Sequence, residues 1–94
     1  MLPKLDVEIP DLITPNGDGI NEKWEIAALK DFPECELKIF NQSGHLVWWS
    51  DTGYTVSWDG IDKSGTVLPV GSYYYLVWLQ SDLKPLKGSV SILR

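Results

Sequence analysis

Residues 72–80 constrain the fold of this sequence more than any other segment, because almost every position carries a large apolar side chain. Aromatic and β-branched residues in an unbroken run of this length are typical of a β-strand, in which successive side chains point to opposite faces. We therefore predict a strand with one face made by Tyr73, Tyr75, Val77 and Leu79, and the other by Tyr74, Leu76 and Trp78.

Shorter runs of the same kind recur along the chain and are separated by Gly, Pro, Asn and Asp, while no segment has helical spacing. The predicted strands cover residues 4–9, 23–29, 35–40, 45–50, 56–58, 72–80 and 87–93. The predicted inward residues outside 72–80 include Leu5, Val7, Ile9, Trp24, Ile26, Ala28, Cys35, Leu37, Ile39, Val90 and Ile92. About seven short strands with closely spaced turns predict an all-β fold, an immunoglobulin-like antiparallel β-sandwich.

The length of the chain limits the number of domains, and its charge limits the classes of molecule that it can bind. The 94 residues are expected to form one domain, residues 1–94. The formal net charge is -5, which argues against a nucleic-acid partner and against binding to an anionic membrane surface. No apolar run approaches the roughly 20 residues of a spanning helix, so we predict that the chain does not cross a membrane.

Residues for catalysis are sparse. Cys35 is the only cysteine and His45 the only histidine, and they fall on successive predicted strands. A cysteine on an apolar strand face is usually a small core residue, and a histidine beside a turn is usually solvated. The 13 acidic residues are scattered over turns and polar faces, so no carboxylate pair of a glycosidase is indicated. We therefore predict that the protein is not an enzyme.

Residues 14–22, Thr-Pro-Asn-Gly-Asp-Gly-Ile-Asn-Glu, form the most polar cluster and allow two interpretations. Asn16, Asp18 and Glu25 have the spacing of oxygen ligands in a calcium loop, which suggests a weak calcium site. Thr14 stands where such a loop has its first Asp. The alternative is a tight turn without a cofactor, in which the glycines supply positive φ.

Aromatic side chains offer a second kind of site, since rings on a solvent-facing strand surface can stack on sugars. The candidates are Trp48, Trp49, Tyr54, Trp58, Tyr74 and Trp78. Half of the aromatic residues along an alternating strand face the core, and exposed ones would mark a contact surface. A carbohydrate- or protein-binding module of a secreted enzyme or adhesin is therefore an alternative function.

Six motifs in order give the sequence a family resemblance over about residues 12–94. They are Thr14 to Glu22 followed by Trp24, Phe32-Pro33 with Cys35, Ile39-Phe40-Asn41 with Gly44, Trp58-Asp59-Gly60, Leu68 to Tyr75 in the pattern Leu-Pro-x-Gly-Ser-Tyr-Tyr-Tyr, and Lys87 to Arg94. Together they resemble the gliding-motility-associated C-terminal domain, the type B sorting domain of the type IX secretion system of Bacteroidetes. The family often has Asn-Arg-Trp-Gly where this chain has Asn41 to Gly44.

The resemblance implies a non-catalytic sorting and attachment module of a larger cargo protein, secreted or held at the cell surface after passage through the periplasm. Its implied partners are the type IX machinery and a PorP/SprF-like outer-membrane protein. The motif residues expected to contribute to recognition are Asn41, Gly44, Lys87, Gly88 and Arg94.

Overall fold

The computed structural model describes residues 8–17, 19, 22–54, 56–80 and 84–94. Its strands are β1 (Leu12–Ile13), β2 (Glu36–Phe40), β3 (Leu46–Ser50), β4 (Gly71–Trp78) and β5 (Leu86–Ile92), and a 3-10 helix spans Ala27–Asp31. The strands form one sheet in the order β1-β5-β4-β2-β3. The protein is thus mostly β, as predicted.

The predicted immunoglobulin-like sandwich of about seven strands is not confirmed. Within the described ranges there are five strands in a single sheet, and that sheet is mixed, because β1 runs parallel to β5. Leu12 pairs with Ser91 and Ile13 with Ile92, whereas the other neighbouring strands are antiparallel.

Four of the predicted strands correspond to β2, β3, β4 and β5, and their inward residues are confirmed. The buried set on these strands and their ends includes Cys35, Leu37, Ile39, Tyr73, Val77, Leu79, Val90 and Ile92. Directly paired residues share a face of the sheet. The register Leu37 to Val77 and Ile39 to Tyr75 therefore gathers the apolar side chains of β2 and β4 on one inner face.

The predicted strands at 23–29 and 56–58 were wrong in their extent. Trp24 and Trp58 meet in one isolated antiparallel bridge, and the chain after Ile26 turns into the 3-10 helix. Ile26 and Leu29, both buried, lie three residues apart, which places them on the same side of a 3-10 turn. The alternation that suggested a strand therefore ends at Ile26. Residues 4–7 of the first predicted strand lie outside the described residues, and residues 8 and 9 are not in a strand.

In the described part of the chain, irregular segments rather than a second sheet cover the inner face. The ring of Trp24 lies 5.2 Å from that of Tyr75, and the ring of Trp58 lies 6.0 Å from that of Tyr73. Both tryptophans are fully buried. Large aromatic rings bury much apolar area in few residues, so these segments complete the core with little regular secondary structure.

Candidate functional site

The two residues considered for nucleophilic catalysis are not brought together. Cys35 directly precedes β2, while His45 lies in the turn that follows it. A five-residue strand separates them by roughly 17 Å. Cys35 is buried, and this burial raises the pKa of its thiol, so the reactive thiolate is disfavoured. His45 is exposed.

The predicted calcium residues do not form a described ligand set. Asp18 lies outside the described residues, Asn16 is exposed, and the Glu25 carboxylate accepts a hydrogen bond from the Ser57 hydroxyl (3.1 Å). No group of three or more His, Cys, Asp or Glu side chains suited to a metal occurs among the residues that are described. The Glu22 carboxylate instead accepts a hydrogen bond from the Gly19 N–H (3.2 Å). Calcium binding stays a prediction, to be tested by the shift of the melting midpoint between calcium and chelator.

The hairpin between β2 and β3 holds two of the predicted recognition residues. The Asn41 Oδ1 accepts hydrogen bonds from the N–H groups of Ser43 (2.9 Å) and His45 (3.0 Å). Gly44 has a φ of 84° and donates its N–H to the Asn41 carbonyl (3.0 Å). Each residue therefore has a role in shaping the turn, whatever its role in recognition.

Arg94 lies at the same end of the sheet as this hairpin. It follows the last paired residue of β5, Ile92, which is opposite the first residue of β4, Gly71. The Arg94 Nη1 donates a hydrogen bond of 2.6 Å to the Leu68 carbonyl. Beside it, a cleft of about 300 Å³ is lined by Asn41, Gln42, Ser43, Leu68, Pro69, Val70, Gly71, Ser72 and Tyr73. The hairpin and the Leu-Pro-x-Gly motif thus share one polar end of the domain.

Lys87 and Gly88 lie elsewhere, in the first half of β5, opposite Leu76 and Tyr75. Gly88 is four residues before Ile92, roughly 13 Å along the strand. A Cβ atom on Gly88 would come within 2.3 Å of the Tyr75 hydroxyl oxygen. The glycine is therefore needed for the tyrosine ring to lie across β5. Lys87 points to the opposite side of the sheet, and it is exposed.

That opposite side, here termed the outer face, is unusually apolar. It is formed by the outward side chains of β2 to β5, namely Glu36, Lys38, Phe40, Leu46, Trp49, Ser72, Tyr74, Leu76, Trp78, Lys87, Ser89 and Ser91. The Lys38 ammonium lies 5.5 Å from the centre of the Trp78 ring. Of the aromatic residues proposed for a contact surface, Trp49, Tyr74 and Trp78 lie here, whereas Trp48 and Trp58 are buried.

Sequence reasoning missed Phe40 and Lys38 as parts of this surface. The alternation in residues 35–40 predicts which side chains of this strand face inward. It does not show which strands lie beside its outward side chains. The register that sets Phe40 beside Tyr74, and Lys38 beside Leu76, depends on pairing between distant segments. The only signal was that an apolar Phe stood on the otherwise polar side of that strand.

The fold and these surfaces define a class: a small β domain with one largely apolar outer face and, in its described part, no cluster of side chains suited to a metal. The chain belongs to the CHU_C Type IX secretion signal domain family, whose sequence profile matches residues 7–92. This match confirms the family resemblance. It makes the chain a sorting module for type IX secretion, and such a signal implies export to the cell surface or secretion.

The structural comparison agrees on the fold. PorZ of Porphyromonas gingivalis, an essential surface component of the type IX secretion system of that bacterium, is similar with a TM-score of 0.66 and 22% sequence identity. The similarity covers 94% of this chain and 11% of PorZ. No curated protein sequence matches the chain. In the described part of the chain, no helix is long and apolar enough to cross a membrane.

Proposed function

We propose that this domain acts as a folded, non-catalytic tag, which reaches the periplasm with its cargo, is bound there by the type IX machinery, and is then carried to the cell surface. The observation that supports this most is the family match over residues 7–92. A carbohydrate-binding role is not favoured by that match.

The structure suggests how the secretion machinery recognises such a tag. Its hairpin, its Leu-Pro-x-Gly segment and its Arg94 side chain are fixed by hydrogen bonds to the backbone or by backbone geometry. A rigid surface loses little conformational entropy on binding. We therefore propose that recognition depends on the tertiary structure and that Asn41, Gly44, Lys87, Gly88 and Arg94 act partly through it.

A PorP/SprF-like outer-membrane protein is proposed as the partner that receives the tag. The net charge of -5 and the exposed aromatic side chains suit a protein partner better than an anionic lipid surface.

The test is a fusion of residues 1–94 to a periplasmic reporter in a cell with an active type IX system. We expect the reporter at the cell surface or in the medium. The same reporter without the domain, and the fusion in a cell with an inactivated type IX system, should both remain in the periplasm. Retention of the intact fusion in the active cell would contradict the proposal.

The partner is tested separately by removing the PorP/SprF-like protein from the active cell. We expect the fusion to accumulate folded in the periplasm. Unchanged export would exclude this partner without affecting the sorting function itself.

A further inference from the structure

The outer face is more apolar than a solvated sheet face usually is. Antiparallel sheets with one face on the core normally present polar side chains on the other. Here the central strand β4 directs Tyr74, Leu76 and Trp78 outward, and Tyr74 is 52% exposed. Leu46, opposite Phe40 at the edge strand, is 42% exposed. Contiguous exposed apolar side chains of this kind mark an interaction surface.

The outer face also has a shape that can receive a chain segment. A groove of about 540 Å³ runs over β4 and β5 and is lined by Phe40, Tyr74, Tyr75, Leu76, Lys87, Gly88 and Ser89. The small residues Ser89 and Gly88 on β5 are paired with Tyr74 and Tyr75 on β4, and Tyr74 is paired on its other side with Phe40 of β2. This difference in side-chain size creates a depression along the sheet.

The charged side chains of the outer face, Lys38, Lys87 and Glu36, sum to a positive charge, whereas the whole molecule is negative. Lys38 and Lys87 are both paired with Leu76, one from each side, so their side chains flank it roughly 10 Å apart. Contact with the Trp78 ring holds the Lys38 ammonium over this face. The chain as a whole carries -5. A binding partner is therefore complementary here if it presents carboxylates beside apolar side chains.

We propose that the outer face binds a segment of a partner protein which is apolar along its centre, carries carboxylates on its flanks, and lies along β4 between Lys38 and Lys87. The inference rests on the proposed function, because the export machinery supplies the partner. A second copy of the domain is a poorer occupant, since a two-fold contact would bring together two faces that both carry a net positive charge.

The test uses the exported fusion with a photoreactive side chain at position 76, on the outer face. A second variant, with the same side chain at position 56, is the control. Val56 is 73% exposed and is not part of the outer face. During export, we expect position 76 to cross-link to a protein of the secretion machinery, and the cross-linked peptide to be rich in apolar and acidic residues. Position 56 should give no such product.

A matched pair of charge reversals then tests the chemistry of recognition. Lys38→Glu with Lys87→Glu should lower both the cross-link at position 76 and export by roughly tenfold. Lys23→Glu with Lys30→Glu changes the net charge equally at exposed sites away from the outer face and should have little effect. Thermal melts of the purified variants establish that each is folded. If the reversal destabilises the domain, Lys38→Gln with Lys87→Gln replaces it.

The outcomes separate this inference from the proposed function. If the unmodified fusion is not exported, the proposed function fails. If the fusion is exported but the folded Lys38 and Lys87 variants are exported and cross-linked equally well, only this inference fails. A cross-link to another copy of the domain, to a glycan or lipid, or to a basic peptide would also overturn it.

Discussion

The hydroxyl group of Tyr54 joins two segments that cover the core and are far apart in the sequence. It donates a hydrogen bond to the Trp24 carbonyl and accepts one from the Trp58 N–H (2.8 Å). The same two tryptophans form the isolated bridge of this layer. A single side chain therefore supplies hydrogen bonds that a continuous pair of strands would otherwise provide.

We expect Tyr54→Phe to lower the free energy of unfolding by about 1–3 kcal/mol, because it leaves part-buried backbone groups without a partner. Urea denaturation of the purified domain measures this. Tyr74→Phe removes a hydroxyl from an exposed ring and should change stability by less than about 0.5 kcal/mol. Equal effects of the two substitutions would contradict the role assigned to Tyr54.

Gly88 gives a second prediction at the level of one residue. The Cβ atom of Gly88→Ala would lie 2.5 Å from Cζ of Tyr75, so the ring of Tyr75 would have to move. We expect a loss of about 1–3 kcal/mol in the free energy of unfolding, as for other overpacked sites.

The control for this substitution is Ser89→Ala on the adjacent outward position of β5, which should be nearly neutral. A Gly88→Ala variant as stable as the wild type would show that the ring of Tyr75 can leave β5 without cost.

Single-residue environments were predictable only where they follow from local alternation. The burial of Leu37, Ile39 and Val77 follows from a period of two, which is visible in the sequence. The need for glycine at position 88 does not, because the ring that excludes a side chain comes from β4. The sequence motif identifies Gly88, but only the pairing of Gly88 with Tyr75 explains it.

At the level of structural elements, the β2–β3 hairpin is determined by its own sequence. Asn41 caps the turn with two hydrogen bonds, and Gly44 provides the positive φ that most residues avoid. Such local chemistry explains why the sequence correctly predicted separate strands at 35–40 and 45–50, on either side of this turn.

We expect Asn41→Ala to lower the free energy of unfolding by about 1 kcal/mol, since two N–H groups lose their acceptor on a solvated turn. Ser43→Ala is the control, because the structure assigns a hydrogen bond to its backbone and none to its hydroxyl in the described turn. Thermal or urea unfolding compares them. If export falls more for Asn41→Ala than the stability change explains, Asn41 also contacts the machinery.

The elements of the covering layer were the least predictable. Residues 23–29 alternate as a strand would through Ile26, yet only Trp24 forms a bridge. A β-strand must pair with a neighbouring strand over several residues. In the described ranges, the segment around Trp58 pairs with this one only at Trp24. Local pattern identifies apolar residues that must be buried but not the secondary structure that buries them.

At the scale of the whole molecule, stability should decrease in alkali. Burial raises the pKa values of Tyr54, Tyr73 and Tyr75 above the ordinary value of 10.0. These residues stay protonated in the folded state while an unfolded chain loses the protons near pH 10. Unfolding therefore releases protons, and its free energy falls as the pH rises above that value and through the folded pKa values.

Urea midpoints measured from pH 7 to about pH 11 test this expectation. The midpoint should decline above about pH 9.5, and more gently in Tyr54→Phe, which lacks one of the buried phenols. A midpoint that is constant in alkali, or a slope that Tyr54→Phe does not change, would contradict the burial of that hydroxyl.

For the molecule as a whole, the motif order was sufficient to predict the family, while the outer face was only partly predictable. The rings of Tyr74 and Trp78 were expected to face away from Tyr73 and Val77, as they do. The sheet order determines which strands flank these rings. It also places a lysine of each flanking strand beside Leu76. That order depends on long-range pairing and cannot be read from spacing.

The most direct measurement of the central claim, that the folded surface is the sorting signal, compares export of the wild-type fusion with that of Val77→Asp. Val77 is fully buried, so an unpaired carboxylate there should unfold the domain. Val56→Asp makes the same change at an exposed position and should be exported normally. We predict export of the wild type and Val56→Asp, and retention of Val77→Asp in the periplasm. Equal export of an unfolded Val77→Asp fusion would show that the machinery reads the linear sequence and would contradict the account.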